Sequence, residues 1–158
     1  GWFNAGLILA GLLFVPASLS LGLLLPGALA RIGAVIGVLC ALSLAMVGLF
    51  PINLSKQHSA SAMAFFRAGM AMLIIFASVI IFQPDAQLRI PRAYALAALP
   101  GIAALAYFLG LAAKLGKKER TLEAPEAKSR PRISRLCIAE WAVFLGIVLF
   151  FCILFFAF

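Results

Sequence analysis

Three stretches of the chain, Ala68 to Pro84, Ala93 to Ala113 and Trp141 to Phe158, contain no aspartate, glutamate, lysine or arginine. Crossing the hydrocarbon core of a bilayer takes about 20 apolar residues as a helix. Backbone N–H and C=O groups immersed in lipid must pair within the segment, so such stretches fold as helices rather than as open strands or loops. Composition excludes the soluble alternative. The chain is 65% hydrophobic and 11% charged, whereas a soluble domain is about 45–50% apolar and about 25% charged. Too little polar material remains to cover a water-facing surface. The expected fold is all-α: one polytopic transmembrane bundle over residues 1–158.

Length and punctuation divide the chain into five spans. They are Trp2 to Leu25, Arg31 to Phe50, Ser61 to Phe82, Arg92 to Leu115 and Ser134 to Phe158. Short turns containing Pro26, Pro51 and Pro84 separate the first four, so successive helices are expected to run antiparallel as neighbours. The segment from Lys114 to Arg135 holds eight basic and three acidic residues. It is too polar for the membrane and reads as a polar, basic, mobile loop.

The net charge of +8 would suggest nucleic acid in a soluble protein. Here it is concentrated in that loop, which points to topology and to anionic headgroups instead. By parity of crossings, Lys56 and Arg67 share the loop's side, while Arg31, Arg89 and Arg92 lie opposite. The positive-inside rule then places the 114–135 loop in the cytoplasm. A bacterial inner membrane is the expected location. The first residue is Gly1, and apolar sequence begins at once, so the start is expected to be truncated or processed.

Gly33, Gly37, Ala41 and Ala45 recur every four residues in the second span. That spacing lines one helix face with small side chains and allows close backbone approach. Gly6 and Ala10 suggest a shorter stripe in the first span. Pro16 and Pro100-Gly101 predict kinks inside the first and fourth spans. The phenylalanines of the last span, from Phe144 to Phe158, point several ways and read as packing or lipid-facing bulk. Cys40, Cys137 and Cys152 lie in apolar segments without a CxxC pair, which predicts buried packing rather than a disulfide or metal site.

Charges inside a span cost roughly 2.5–3.5 kcal/mol at its centre. Arg67 and Glu140 each lie about six residues inside their predicted helices, or roughly 9 Å. Both helices start on one side, so a direct or water-bridged pair is one expectation, and separate snorkelling to the headgroups is the other. Asn4, Pro51 and His58 belong to the same membrane face by parity. His58 is the only histidine. Its imidazole can act as an acid or base near neutral pH, or it can simply hold a loop carbonyl. It is the one candidate catalytic residue. No P-loop, GxGxxG, HExxH or GxSxG motif is present, and no cofactor or metal is implied.

Two runs, FNAGLILAGLL (Phe3 to Leu13) and GLFPINLSKQHSASAMAFF (Gly48 to Phe66), carry a family resemblance. The matching elements are Phe3, Asn4, Gly6 and Leu7; then Gly48, Phe50 and Pro51; then His58 with Phe65 and Phe66. In these the chain resembles the bacterial and archaeal membrane family known as domain of unknown function 998. It is distantly similar to the Frag/DRAM/Sfk group. The resemblance implies a six-helix plan with one helix before Gly1, and it implies no established activity. The eukaryotic relatives' association with lipid handling is fold-level analogy.

The leading functional expectation is a non-enzymatic, lipid-associated scaffold or accessory subunit. Its partners would be membrane lipids and other membrane-protein subunits, without nucleic acid. Two alternatives stay open. One is a headgroup-level lipid enzyme with His58 as acid/base and Arg67 holding phosphate. The other is a small transporter or channel subunit bordered by the Pro16 and Pro100 kinks.

Overall fold

The computed structural model describes residues 2–50, 54–87, 89–119 and 135–157. Every regular element among them is helical. α1 (Trp2–Leu24), α2 (Ala28–Leu49), α3 (Ser55–Phe82), α4 (Leu99–Glu119) and α5 (Arg135–Phe155) form the bundle. Two 3-10 stretches, Asp85–Gln87 and Arg92–Ala98, lie between α3 and α4. Five helical segments are long and apolar enough to cross a membrane, the fourth of them joining the second 3-10 stretch to α4. The described residues thus form a polytopic helical bundle of five spans. Pro51, Asn53 and most of the basic loop, residues 120–134, lie outside the described residues.

The sequence boundaries hold within a few residues at most ends, and the exceptions have local causes. α2 begins at Ala28 rather than Arg31. The chain turns at Gly27, whose φ of 90° and ψ of 168° suit glycine alone, and Ala28, Leu29 and Ala30 are good helix formers beyond it. α3 begins at Ser55 rather than Ser61. Its first turns are polar and so lack the apolar pattern of a span, yet nothing in them breaks a helix. At 28 residues, α3 is roughly 42 Å long, more than a bilayer core of about 30 Å requires. His58 therefore lies in the opening turns of α3, not in a loop. α4 likewise continues through Glu119, into residues expected to be loop.

The predicted kinks resolve differently. α1 is continuous through Pro16. The fourth span changes helix type instead, from 3-10 over Arg92–Ala98 to α from Leu99. Pro100 has no N–H to give the Leu96 carbonyl four residues back. The N–H of Leu99 bonds that carbonyl instead, in the tighter i−3 pattern, and Pro100 falls in the first turn of α4, where its missing donor costs nothing.

Close packing follows the small residues. Gly33, Gly37, Ala41 and Ala45 are all buried. A Cβ on Gly11 of α1 would come within 2.6 Å of the Ala41 carbonyl, and one on Gly22 within 2.4 Å of the Ala34 methyl. Gly6 meets nothing within 4 Å. The α1 contact line therefore runs through Leu7, Gly11, Ser18 and Gly22, in place of the expected Gly6 and Ala10 stripe. α4 and α5 cross at Gly101 and Gly146, where a Cβ on Gly146 would lie 2.6 Å from the Gly101 Cα. Larger side chains fill the centre: Met72, Leu73, Phe76, Leu105, Ile147 and Phe150 are fully buried. Of the cysteines only Cys40 is buried, its thiol donating to the Phe65 carbonyl at 3.5 Å. Cys137 and Cys152 are exposed, because each points off the helix face that α5 buries.

Candidate functional site

The start of α1, the end of α2, the start of α3 and the start of α5 meet at one end of the bundle. Asn4 lies against Gly48: a Cβ on Gly48 would sit 2.6 Å from the Asn4 carbonyl oxygen. α2 ends with the Phe50 N–H bonded to the Met46 carbonyl at 2.9 Å. The carbonyl of Phe50 is then one of the acceptors that a helix C-terminus leaves without an intrahelical donor. His58 Nδ1 reaches it at 2.7 Å.

That bond fixes the imidazole. A carbonyl can only accept, so the proton is on Nδ1 and, in the neutral ring, Nε2 presents its lone pair. His58 thus ties the first turns of α3 to the end of α2 across residues 51–53. The loop-carbonyl role foreseen for it is the one observed, and it leaves Nε2 available. His58, in the opening turns of α3, and Glu140, near the start of α5, stand at the same end of the bundle. They do not touch: among the described residues the one ion pair is Arg92 with Asp85.

Arg67 is not part of this arrangement. Phe65 stacks on Phe144 with ring centroids 5.3 Å apart, which turns the Phe65 face of α3 toward α5. Arg67 follows two residues later, about 200° further around the helix at 3.6 residues per turn, and is exposed. No ion pair joins it to Glu140. The expected Arg67–Glu140 pair is corrected accordingly: equal distance along two helices does not place two side chains on facing sides. Arg67 stands where snorkelling along the bundle surface is open to it.

Glu140 instead borders a groove between α1 and α5 of about 300 Å³, lined by Phe3, Leu7, Ala10, Glu140, Trp141, Phe144, Leu145 and Val148. Seven of these eight are apolar, and the carboxylate stands at the end formed by the starts of α1 and α5. One turn deeper, Phe14 and Phe151 meet edge to face with centroids 5.0 Å apart and close the groove. Its sides remain open to the surroundings, since Phe3, Trp141 and Leu145 are 65%, 61% and 67% exposed. An apolar trough with one polar end has the amphiphilic pattern of a lipid. The groove was not legible in the sequence, because it depends on α1 and α5 being neighbours although they are the most distant helices in the chain.

The opposite end is organised by residues the sequence reading passed over. Gln83 is buried, its Nε2 donating to the carbonyls of Ile80 and Ile90 at 3.0 and 2.7 Å. Its Oε1 accepts the Arg89 N–H at 3.1 Å. Arg92 donates to the carbonyls of Ile81 and Gln83, both at 3.1 Å, at the C-terminal end of α3. It also pairs with Asp85. A polar residue directly between an apolar run and a proline was the available signal. Elsewhere in the bundle, the Ser18 hydroxyl is buried without a hydrogen-bond partner, packed where Gly37 and Met72 converge.

Among the described residues, no three His, Cys, Asp or Glu side chains gather as a metal site. Comparison with protein-family models, with curated proteins and with solved structures finds no match to this chain.

Proposed function

We propose that this is a lipid-associated membrane protein, a scaffold or accessory subunit, that holds a lipid in the α1/α5 groove. The observation that carries this reading is the groove itself: open at its sides, apolar along its length, and ended by Glu140. Lipid binding there needs no catalytic set. It uses apolar contact along the trough and a polar contact at the headgroup level. The basic loop, on the cytoplasmic side of a bacterial inner membrane by the positive-inside rule, would add attraction to anionic headgroups.

Lipid retention tests it. The chain purified in mild detergent is expected to keep about one tightly held phospholipid per copy. Ala10→Trp, which fills the trough, is expected to release that lipid while the bundle still melts cooperatively. Equal retention by the two proteins would end the groove reading. Labelling of cysteines introduced into the 120–134 segment, expected only from the cytoplasmic side, tests the orientation.

A second reading rests on His58. An imidazole with Nδ1 held by a carbonyl and Nε2 unengaged is oriented as a general base requires, which supports a headgroup-level enzyme. Arg67 has no part in that version. His58→Gln would abolish turnover of a radiolabelled membrane phospholipid in such an enzyme and leave it unchanged in a scaffold.

A further inference from the structure

We propose that the polar end of the groove is a receptor for a primary ammonium group, so that the lipid held there is of the phosphatidylethanolamine class. This rests on the groove reading above and assigns its headgroup. The one ionisable residue in the lining is Glu140. An anionic headgroup placed against a carboxylate in a poorly screened site is repelled, and a cationic one is attracted. Among the described residues no hydrogen bond or ion pair engages the carboxylate.

Hydrogen-bonding chemistry narrows the class further. The Glu140 carboxylate presents hydrogen-bond acceptors only. A primary ammonium has three N–H donors to offer it. A trimethylated ammonium has none, which disfavours phosphatidylcholine. Aromatic surface completes the site. Phe3, Trp141 and Phe144 all line the groove around Glu140, and the Trp141 and Phe144 rings lie 6.4 Å apart. Ring faces attract cations, tryptophan most strongly. The inference runs against the chain's overall charge of +8, which by itself would favour phosphatidylglycerol. Arg67 does not reverse it, because that residue faces away from the α3–α5 contact.

The test is a competition. The full chain is placed in nanodiscs containing equal parts of phosphatidylethanolamine, phosphatidylcholine and phosphatidylglycerol with matched acyl chains. It is then released into detergent, and retained lipid is identified by native mass spectrometry. Phosphatidylethanolamine is expected to be kept about tenfold over either of the others, as a charge-assisted contact of ordinary strength would give. Glu140→Gln is expected to keep lipid but to reduce that preference to within about twofold. Wild-type protein that keeps phosphatidylglycerol or phosphatidylcholine as well as phosphatidylethanolamine overturns the headgroup assignment, and so does a Glu140→Gln protein with the preference intact. If lipid of the wrong class is kept but Ala10→Trp expels it, the groove stands and only the headgroup assignment falls. If Ala10→Trp expels nothing, both fall. The wild-type competition decides even where a variant fails to fold.

Discussion

The two ends of the bundle handle polar groups in opposite ways. At the α3–α4 end, Gln83 engages both its amide donors and its carbonyl oxygen with backbone groups, and Arg92 bonds two carbonyls and Asp85. That network is complete within the chain. At the other end, Glu140 has no bonded partner among the described residues, and His58 uses one ring nitrogen of two. Both side chains are half-buried, so water or a ligand can reach the acceptors left open. An end that leaves acceptors unengaged among the described residues, beside an apolar trough, agrees with the lipid site proposed there. On the proposed reading, the closed end serves stability and the open end serves binding.

This contrast predicts a graded set of effects. The largest belongs to Gln83→Leu, which leaves the Ile80 and Ile90 carbonyls and the Arg89 N–H without their partner at about 1–3 kcal/mol per buried group. Thermal unfolding in detergent should fall by several degrees or more, and a wild-type melting curve would erase the distinction between the ends. Gly146→Ala, at the crossing between them, sets a scale. Its methyl would press on Gly101 backbone at 2.6 Å, and overpacking of this kind costs about 1–3 kcal/mol. Arg92→Met should cost about 1–2 kcal/mol by freeing two helix-end carbonyls. Asp85→Asn should cost less than about 1 kcal/mol, because that pair is exposed, with side chains 49% and 85% accessible. Glu140→Gln should change stability by no more than about 0.5 kcal/mol and yet alter lipid retention. A loss as large as that of Gln83→Leu would make Glu140 structural. Smallest of all, Arg67→Gln should leave both melting and retained lipid unchanged.

Much of the architecture was legible because lipid leaves few choices. The uncharged runs had to be helices, and the glycine and alanine spacing of α2 had to serve close packing. What was not legible depends on rotation and on neighbours. Arg67 and Glu140 were equally deep along their predicted helices, but depth carries no information on azimuth, and Phe65 rather than Arg67 faces α5. The polar start of α3 hid six helical residues, since apolar periodicity reports burial in the membrane and not helix as such. Gln83 looked like a turn residue because its partners are backbone groups that only the folded loop supplies. The groove needed a tertiary fact, the adjacency of the first and last helices.

The claim that a lipid resides between α1 and α5 can be read directly from the two tryptophans. Trp141 lines the groove, whereas Trp2 is 97% exposed at the start of α1. Each is made the sole reporter, by Trp2→Phe or Trp141→Phe, in membranes containing brominated phospholipid, and the protein is then exchanged into unbrominated detergent. Fluorescence of Trp141 is predicted to stay quenched long after that of Trp2 has recovered. Recovery of both tryptophans on the same timescale would contradict the account.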